Sequence, residues 1–335
     1  MYRTSIISSS NSPAVDLIRI GLEPDMLNVG WVKASTNVVT NAANSSNSWI
    51  WNVYKSPAGN NSLGKDWYIS LGWDNVSNAN IAITCMEQWT GGASNVALGY
   101  VPRQGDGSMA PQGSNGWVSL GSSGLPLTPG GNVGHMTIGG VSSSANALPT
   151  YSYTLYQSVT IDRIIFATSN TQTFNDGASF YAGMYDTFLN PLLDPYPIGI
   201  FNLNRWGTSS LLTNGNAYTI EGAATRNIMP SVSQYNFTMN RNTAMQTLNP
   251  IAYGGQEIFS NRWLFGRALI CSLGNPNAGT TGGLRGLLKD IYLSGIVVTR
   301  GDTTQIVING ATYNATSMYP VGSSPTVAYP WMLQV

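Results

Sequence analysis

The chain has 335 residues with 15 basic and 15 acidic side chains, a net charge of zero, one histidine and two cysteines. Charged residues make up 9% of it, against roughly 25% in an average soluble domain, while the 42% hydrophobic share is enough to form a core. Neutrality without a Lys/Arg cluster argues against a nucleic-acid partner, and the absence of any run of about 18 apolar residues argues against a membrane-spanning helix.

Asn, Ser, Thr and Gly carry the polar load, hydrogen-bonding without the desolvation cost of a full charge. A surface this poor in charge lacks the usual protection of a lone soluble protein and reads as one covered by neighbours. The length exceeds what one core serves efficiently, so two or three β-rich domains are expected. Met1-Tyr2-Arg3 leads into a Ser/Asn-rich tract and not into an apolar segment, so no secretory signal is expected. The Asn-x-Ser/Thr triplets at Asn44, Asn75, Asn236 and Asn314 then read as products of composition.

The first predicted element is a helix within residues 1–25. Ser12 can cap it, Pro13 suits its first position, Val15, Ile18 and Leu22 recur at helical spacing, and Gly21 and Pro24 end it. Gly30-Trp31-Val32 opens a β module spanning 26–101. Its strands are the Trp/Tyr-rich run from Ser48 to Lys55, the run from Asp66 to Trp73, and the run from Asn80 to Trp89, separated by turn-rich spacers as an antiparallel sheet requires.

Residues 102–150 change character, with Gly, Ser, Pro and Asn dominating, and read as a long loop or an arm wrapping a neighbour. A second β module follows at 151–256, with strands from Tyr151 to Tyr156, Asp162 to Thr168 and Ser179 to Tyr185. Asn190 to Pro197 contains three prolines and suits neither a helix nor a central strand. Residues 202–250 read as irregular. The C-terminal β region, 257–335, holds strands from Arg262 to Ile270 and Leu287 to Tyr292. A hairpin of Thr304–Ile308 and Ala311–Ala315 follows, turning at Asn309-Gly310, whose positive φ angles make a type I′ turn. The fold expected is mainly β, with antiparallel β-sandwich-like domains, a short N-terminal helix and long Gly/Ser/Asn-rich loops.

Chemistry has little to work with. His135, the only histidine, sits in the glycine-rich stretch Gly131–Met136, where an exposed loop residue is expected and not a rigid base. Cys85 and Cys271 have no CxxC spacing and read as two buried free thiols, with a bridge between them left open. One histidine, two distant cysteines and scattered acids predict no metal site. Glycoside hydrolysis needs only two carboxylates. Glu23, Glu87, Glu221 and Glu257 are the only glutamates, and Asp186 and Asp194 flank an aromatic, proline-rich segment, but spacing pairs none of them. No phosphate-binding glycine loop is present, since Gly282–Gly286 lacks the strand and helix that a dinucleotide site needs. Catalytic, cofactor and metal residues are therefore all expected to be none. Trp31, Trp49, Trp51, Trp67, Trp73 and Trp89 cluster in one module and admit a sugar-stacking face, but alternation along strands points to core or interface.

The order of these motifs resembles a family of bacteriophage virion structural proteins. It runs from a short helix into Gly30-Trp31-Val32, then Lys65-Asp66-Trp67-Tyr68-Ile69-Ser70-Leu71-Gly72, and then the Asn80-to-Trp89 strand before Thr90-Gly91-Gly92. Asp162-Arg163-Ile164-Ile165-Phe166, Phe180-Tyr181-Ala182-Gly183-Met184-Tyr185 and Asp194-Pro195-Tyr196-Pro197 follow. Gly283 to Tyr292 and a hairpin opened by Gly301-Asp302-Thr303 complete the series. Residues 102–150 are outside it. The resemblance implies a non-enzymatic tail, baseplate or neck subunit located in the virion. Its partners would be copies of itself and other virion proteins, with no nucleic acid and no membrane. A receptor-binding tail protein engaging a host glycan is the alternative, and a polysaccharide depolymerase a third reading.

Overall fold

The structure, a computed structural model, describes residues 1–9, 13–41, 48–74, 80–86, 89, 100–103, 109–111, 135–137, 151–170, 179–188, 190–191, 196–202, 218–219, 245–248, 256–257, 262–263, 266–272, 283–294, 301–318 and 329–335. Strand β1 (Tyr2–Ser9) precedes a helical stretch made of α1 (Pro13–Asp16), a π-helical turn (Leu17–Leu22) and α2 (Glu23–Asn28). Next come β2 (Val32–Asn41), β3 (Ser48–Ser56), β4 (Trp67–Asp74) and β5 (Asn80–Met86), then the short β6 (Tyr100–Arg103), β7 (Met109–Pro111) and β8 (His135–Thr137). The middle of the chain supplies β9 (Tyr151–Thr160), β10 (Arg163–Asn170), β11 (Ser179–Met184), β12 (Asp186–Thr187), β13 (Ile198–Asn202) and β14 (Tyr218–Thr219). The remainder adds β15 (Met245–Leu248), β16 (Gln256–Glu257), β17 (Arg262–Trp263), β18 (Gly266–Ser272) and β19 (Gly283–Ser294). The last strands are β20 (Thr303–Ile308), β21 (Ala311–Ser317) and β22 (Tyr329–Leu333).

Three antiparallel sheets stack. The central one runs β1-β9-β10-β11-β13-β14, the N-terminal one β2-β3-β4-β5-β8, and the C-terminal one β15-β18-β19-β22-β21-β20 with β12 added beside β19. Alternation along each central strand sends side chains to opposite faces. On one face Leu155, Val159, Ile164, Phe166, Ala182 and Met184 pack with the helix and with Trp31, Trp67, Ile69 and Leu71 of the N-terminal sheet side. On the other, Ile165, Ala167 and Tyr181 pack with Leu288, Ile291, Met318 and Met332 of the C-terminal sheet. The chain is therefore mainly β, as expected, with its helix short and N-terminal.

The segments set apart by composition are joined in space. Residues 1–25, expected as a helical segment, begin with β1, whose register with β9 runs unbroken from Tyr2↔Ser158 to Ser9↔Tyr151. One core draws on the helix, the 26–101 strands and the 151–202 strands together. Asp186-Thr187 and Met245–Leu248 cross into the C-terminal sheet, and His135–Thr137 pairs its backbone with β5 and does not loop free. Short strands β14 and β15 also interrupt the stretch expected to be irregular. The remainder of the 102–150 arm, apart from β6, β7 and β8, lies outside the described residues.

The helix does not stop at Gly21 and Pro24. A π-helical turn carries the chain past Gly21 into α2, whose first turn holds Pro24, with the Glu23 N–H donating to Ile18 O. Pro24 brings no N–H to the ladder, and two carbonyls of the preceding turn bond elsewhere. Ile20 O accepts Arg3 Nη2 at 3.1 Å. Gly21 O accepts Arg3 Nη2 and, at 3.1 Å, Gln157 Nε2. Gly21 itself is a contact residue: a Cβ there would overlap the Leu155 side chain of β9. Ser12, expected as the cap, lies outside the described residues. The Asn309-Gly310 turn is as expected, with φ of 49° and 80° between strands paired from Thr303↔Thr316 to Ile308↔Ala311.

Candidate functional site

The densest gathering of charge lies at one end of the seam between the central and C-terminal sheets. The β9–β10 hairpin turns at Ile161-Asp162, presenting Asp162 and, as the first residue of β10, Arg163. Asp186 comes from β12 and Arg267 from β18. Lys289 and Asp290 come from an irregular stretch of β19, where the β18 register jumps between Arg267↔Tyr292 and Leu269↔Leu287. Asp290 holds φ at 56°, a left-handed conformation that Asp tolerates better than most residues. This bulge lets Leu288 and Ile291 both face the core between the sheets while Lys289 and Asp290 reach the hairpin.

Arg163 is almost fully buried and forks onto Asp290, its Nε donating to Oδ2 at 2.8 Å and its Nη2 to the same oxygen. Its Nη1 also donates to Thr160 Oγ1 at 3.2 Å. Arg267 donates to Asp186 and, at 3.1 Å, to Leu288 O. Lys289 Nζ stands 3.6 Å from Asp186 Oδ1 and 4.0 Å from Asp162 Oδ2. Ser62, from the loop after β3, donates its N–H to Asp162 Oδ1 at 2.9 Å and its hydroxyl to Oδ2 at 2.6 Å. Lys289 Nζ also donates to Ser62 Oγ at 3.4 Å.

A serine beside a lysine and an aspartate invites comparison with a nucleophile and its base. A lysine base must offer its amine to the serine hydroxyl as an acceptor, whereas Lys289 Nζ faces two carboxylates and itself donates to Ser62 Oγ. Both Asp162 oxygens are occupied by Ser62. The arrangement ties a loop, a hairpin and three strands of another sheet together.

A second polar group closes the other face. Glu23 takes Lys33 Nζ at 2.6 Å, Asn52 Nδ2 at 3.4 Å and the Tyr54 hydroxyl. Burial, reinforced by the Glu23 carboxylate, pushes the Tyr54 phenol well up from its ordinary value. Asp25, on the buried face of α2, pairs with Arg3 at 3.1 Å and accepts Gln157 Nε2.

The other sequence candidates fall as follows. Glu87, Glu221 and Asp194 lie outside the described residues, so the Asp186/Asp194 groove has no described second wall. Glu257 stands in β16 opposite Arg262. Trp31, Trp51, Trp67 and Trp73 are buried, which takes them out of any sugar-stacking face. Trp31 and Trp67 meet edge to face with centroids 4.9 Å apart. Trp89, half-buried, donates to Ser35 Oγ at 2.8 Å. Cys85 is buried and free, and burial pushes its thiol up, away from the thiolate that reacts or binds metal. Among the described residues no group of three or more His, Cys, Asp or Glu side chains could hold a metal ion, and no helix is long and apolar enough to cross a membrane.

Sequence reasoning passed over Ser62, Asp162, Arg163, Arg267, Lys289 and Asp290 as chemistry. The available signal was that two of the three opposite-charge dipeptides in a chain with very few charges, Asp162-Arg163 and Lys289-Asp290 beside Lys65-Asp66, belong to this cluster. No family model matches the chain, and no curated protein matches it.

Proposed function

We propose that this chain is a non-enzymatic structural subunit of a bacteriophage particle, a tail, baseplate or neck component that assembles with copies of itself and with other virion proteins. The observation that carries the proposal is where the few charges go. Arg3, Lys33, Lys55, Arg163, Arg267 and Lys289 all face carboxylates of the same chain. What is left outward includes neutral polar residues and aliphatics such as Ile6, Ile20, Val32 and Val307. With these six described cations turned onto carboxylates of their own chain, the surface around them is suited to burial against neighbours. Contacts there must come from apolar area, at about 25 cal/mol per Å², and from neutral hydrogen bonds. The resemblance of the ordered motifs to virion structural proteins supplies the particle.

Mass spectrometry of purified particles of the encoding phage tests it. The chain is expected among the repeated virion proteins, and purified protein is expected to leave host polysaccharide unshortened. Absence from the particles, or release of oligosaccharides that stops when one carboxylate is changed, would overturn the proposal.

A further inference from the structure

Among the described residues, strand β1 is the outermost strand of the central sheet and pairs there with β9 alone. Met1 and Val159 exchange both backbone bonds, Val159 N donating to Met1 O at 2.8 Å and Met1 N to Val159 O at 2.6 Å. Antiparallel pairs alternate between bonded and non-bonded positions. Arg3, Ser5 and Ile7 therefore use their N–H and C=O groups on β9, while Tyr2, Thr4, Ile6 and Ser8 direct theirs to the sheet edge. Thr4, Ile6 and Ser8 are exposed, Ile6 to 73%.

Natural edges are usually blunted by lysine, proline or a bulge. Here the strand holds no lysine or proline, its register has no bulge, and its single charge, Arg3, is turned onto Asp25 and the helix carbonyls. One further group at this edge lacks a partner: Ser5 Oγ is buried without a hydrogen bond among the described residues.

We propose that two copies of this chain pair β1 against β1, antiparallel, about a twofold axis at Ser5, joining their central sheets into one. This deepens the structural-subunit reading and rests on it. That register sets Tyr2 opposite Ser8 and Thr4 opposite Ile6 of the second copy, so every edge-directed backbone group of the strand gains a partner. Arg3 faces Ile7 of the second copy, so no like charges meet. Ser5 faces Ser5 of the second copy in a non-bonded pair, where Cα atoms stand about 4.5 Å apart and rotation about χ1 brings the two hydroxyls within hydrogen-bonding reach. The occupant is a second copy because this register opposes no like charges and sets the two orphaned hydroxyls face to face.

Sedimentation equilibrium of the full chain is expected to show a dimer that persists in about 1 M NaCl, where exposed ion pairs are screened. Ile6→Pro removes only an N–H that β9 does not use, and is expected to weaken the dimer at least about tenfold with the near-UV spectrum unchanged. Ser5→Cys should cross-link to itself under mild oxidation, since disulfides need Cα separations of roughly 4.4–6.8 Å. Thr4→Cys, offset in this register, should cross-link far more slowly. If Ile6→Pro lowers the melting temperature, the Ser5→Cys and Thr4→Cys comparison decides alone. A monomer at all concentrations overturns the pairing. So does an oligomer that ignores Ile6→Pro and leaves Ser5→Cys unlinked, but that result leaves the structural-subunit reading standing with a different interface.

Discussion

The central sheet is closed on its two faces in different ways. Toward the helix and the N-terminal sheet the contact is led by large aromatic side chains, Trp31 against Trp67, with Phe166 and Leu155 beneath them. The ion pairs around that face join residues close in sequence, Glu23 to Lys33 and Arg3 to Asp25. Toward the C-terminal sheet, Tyr181 and Tyr185 pack with Ile165, Leu288, Ile291 and Met332, and the ion pairs at its end span the chain, Arg163 to Asp290 and Arg267 to Asp186. Burial of apolar area is non-directional, whereas a forked guanidinium–carboxylate pair demands one geometry. The first seam is thus held chiefly by area. The second adds a positional lock that sets how the C-terminal sheet docks.

The largest expected effect comes from removing area at the first seam. Trp67 is wholly buried, and Trp67→Ala should cost about 3–5 kcal/mol. Leu288→Ala, at the second seam, should cost about 2–4 kcal/mol. Because the central sheet serves both cores, calorimetry should show each variant lowering one shared transition. Two separated transitions in either variant would mean that the seams unfold independently, and the shared-layer account would fail.

Next in size is the lock. Asp290→Asn keeps a residue that tolerates positive φ but leaves the Arg163 guanidinium buried without its counter-charge. Breaking a fully buried pair costs about 3–5 kcal/mol; the Asp290 side chain is 28% exposed, so about 2 kcal/mol is expected. Arg163→Met combined with Asp290→Asn should be milder than Asp290→Asn alone, since no orphan charge then remains. Equal losses in the single and double variants, measured in denaturant, would show that the pair is not what locks the seam.

The difference between the seams also explains what could be read from the residues alone. Strands β3, β4, β9, β10 and the Asn309-Gly310 hairpin announce themselves through aromatic and β-branched runs and a turn whose φ angles only certain residues adopt. The Trp cluster was legible as core for the same reason. β1 was not, because Thr4-Ser5-Ile6-Ile7 is short and surrounded by serines, and its ladder exists only once β9 arrives from over 140 residues away. The helix end was misplaced because its freed carbonyls find Arg3 and Gln157, a tertiary remedy that local propensity does not contain. The charged lock was invisible as a unit since its members come from five separate stretches, and only the scarcity of charge hinted that each had a task.

The smallest effect belongs to a pair of the same chemistry placed outside both seams. Lys55 Nζ lies 2.5 Å from Asp66 Oδ2, with side chains 32% and 41% exposed. The lysine, and then the Ala58 N–H that Asp66 accepts at 2.8 Å, hold the Asp66 carboxyl below its ordinary value. A depressed folded-state value means that its stabilisation is present above the usual carboxylate value of about 4 and is lost as pH falls through the lowered one. Water screens a pair this exposed, so about 0.2–1 kcal/mol is expected, a shift of about 0.3–1.5 °C in a chain of this length. Asp66→Asn, which keeps an oxygen for Ala58 N–H, should therefore melt slightly below the parent at pH 7. The two should converge at acidic pH, once the fall has passed through the lowered value of the parent carboxyl, and also in about 1 M NaCl at pH 7. A deficit that stays the same at both pH values would assign the loss to the loop's hydrogen bonding and not to charge. The contrast with Arg163–Asp290 would then rest on geometry alone and not on the degree of burial.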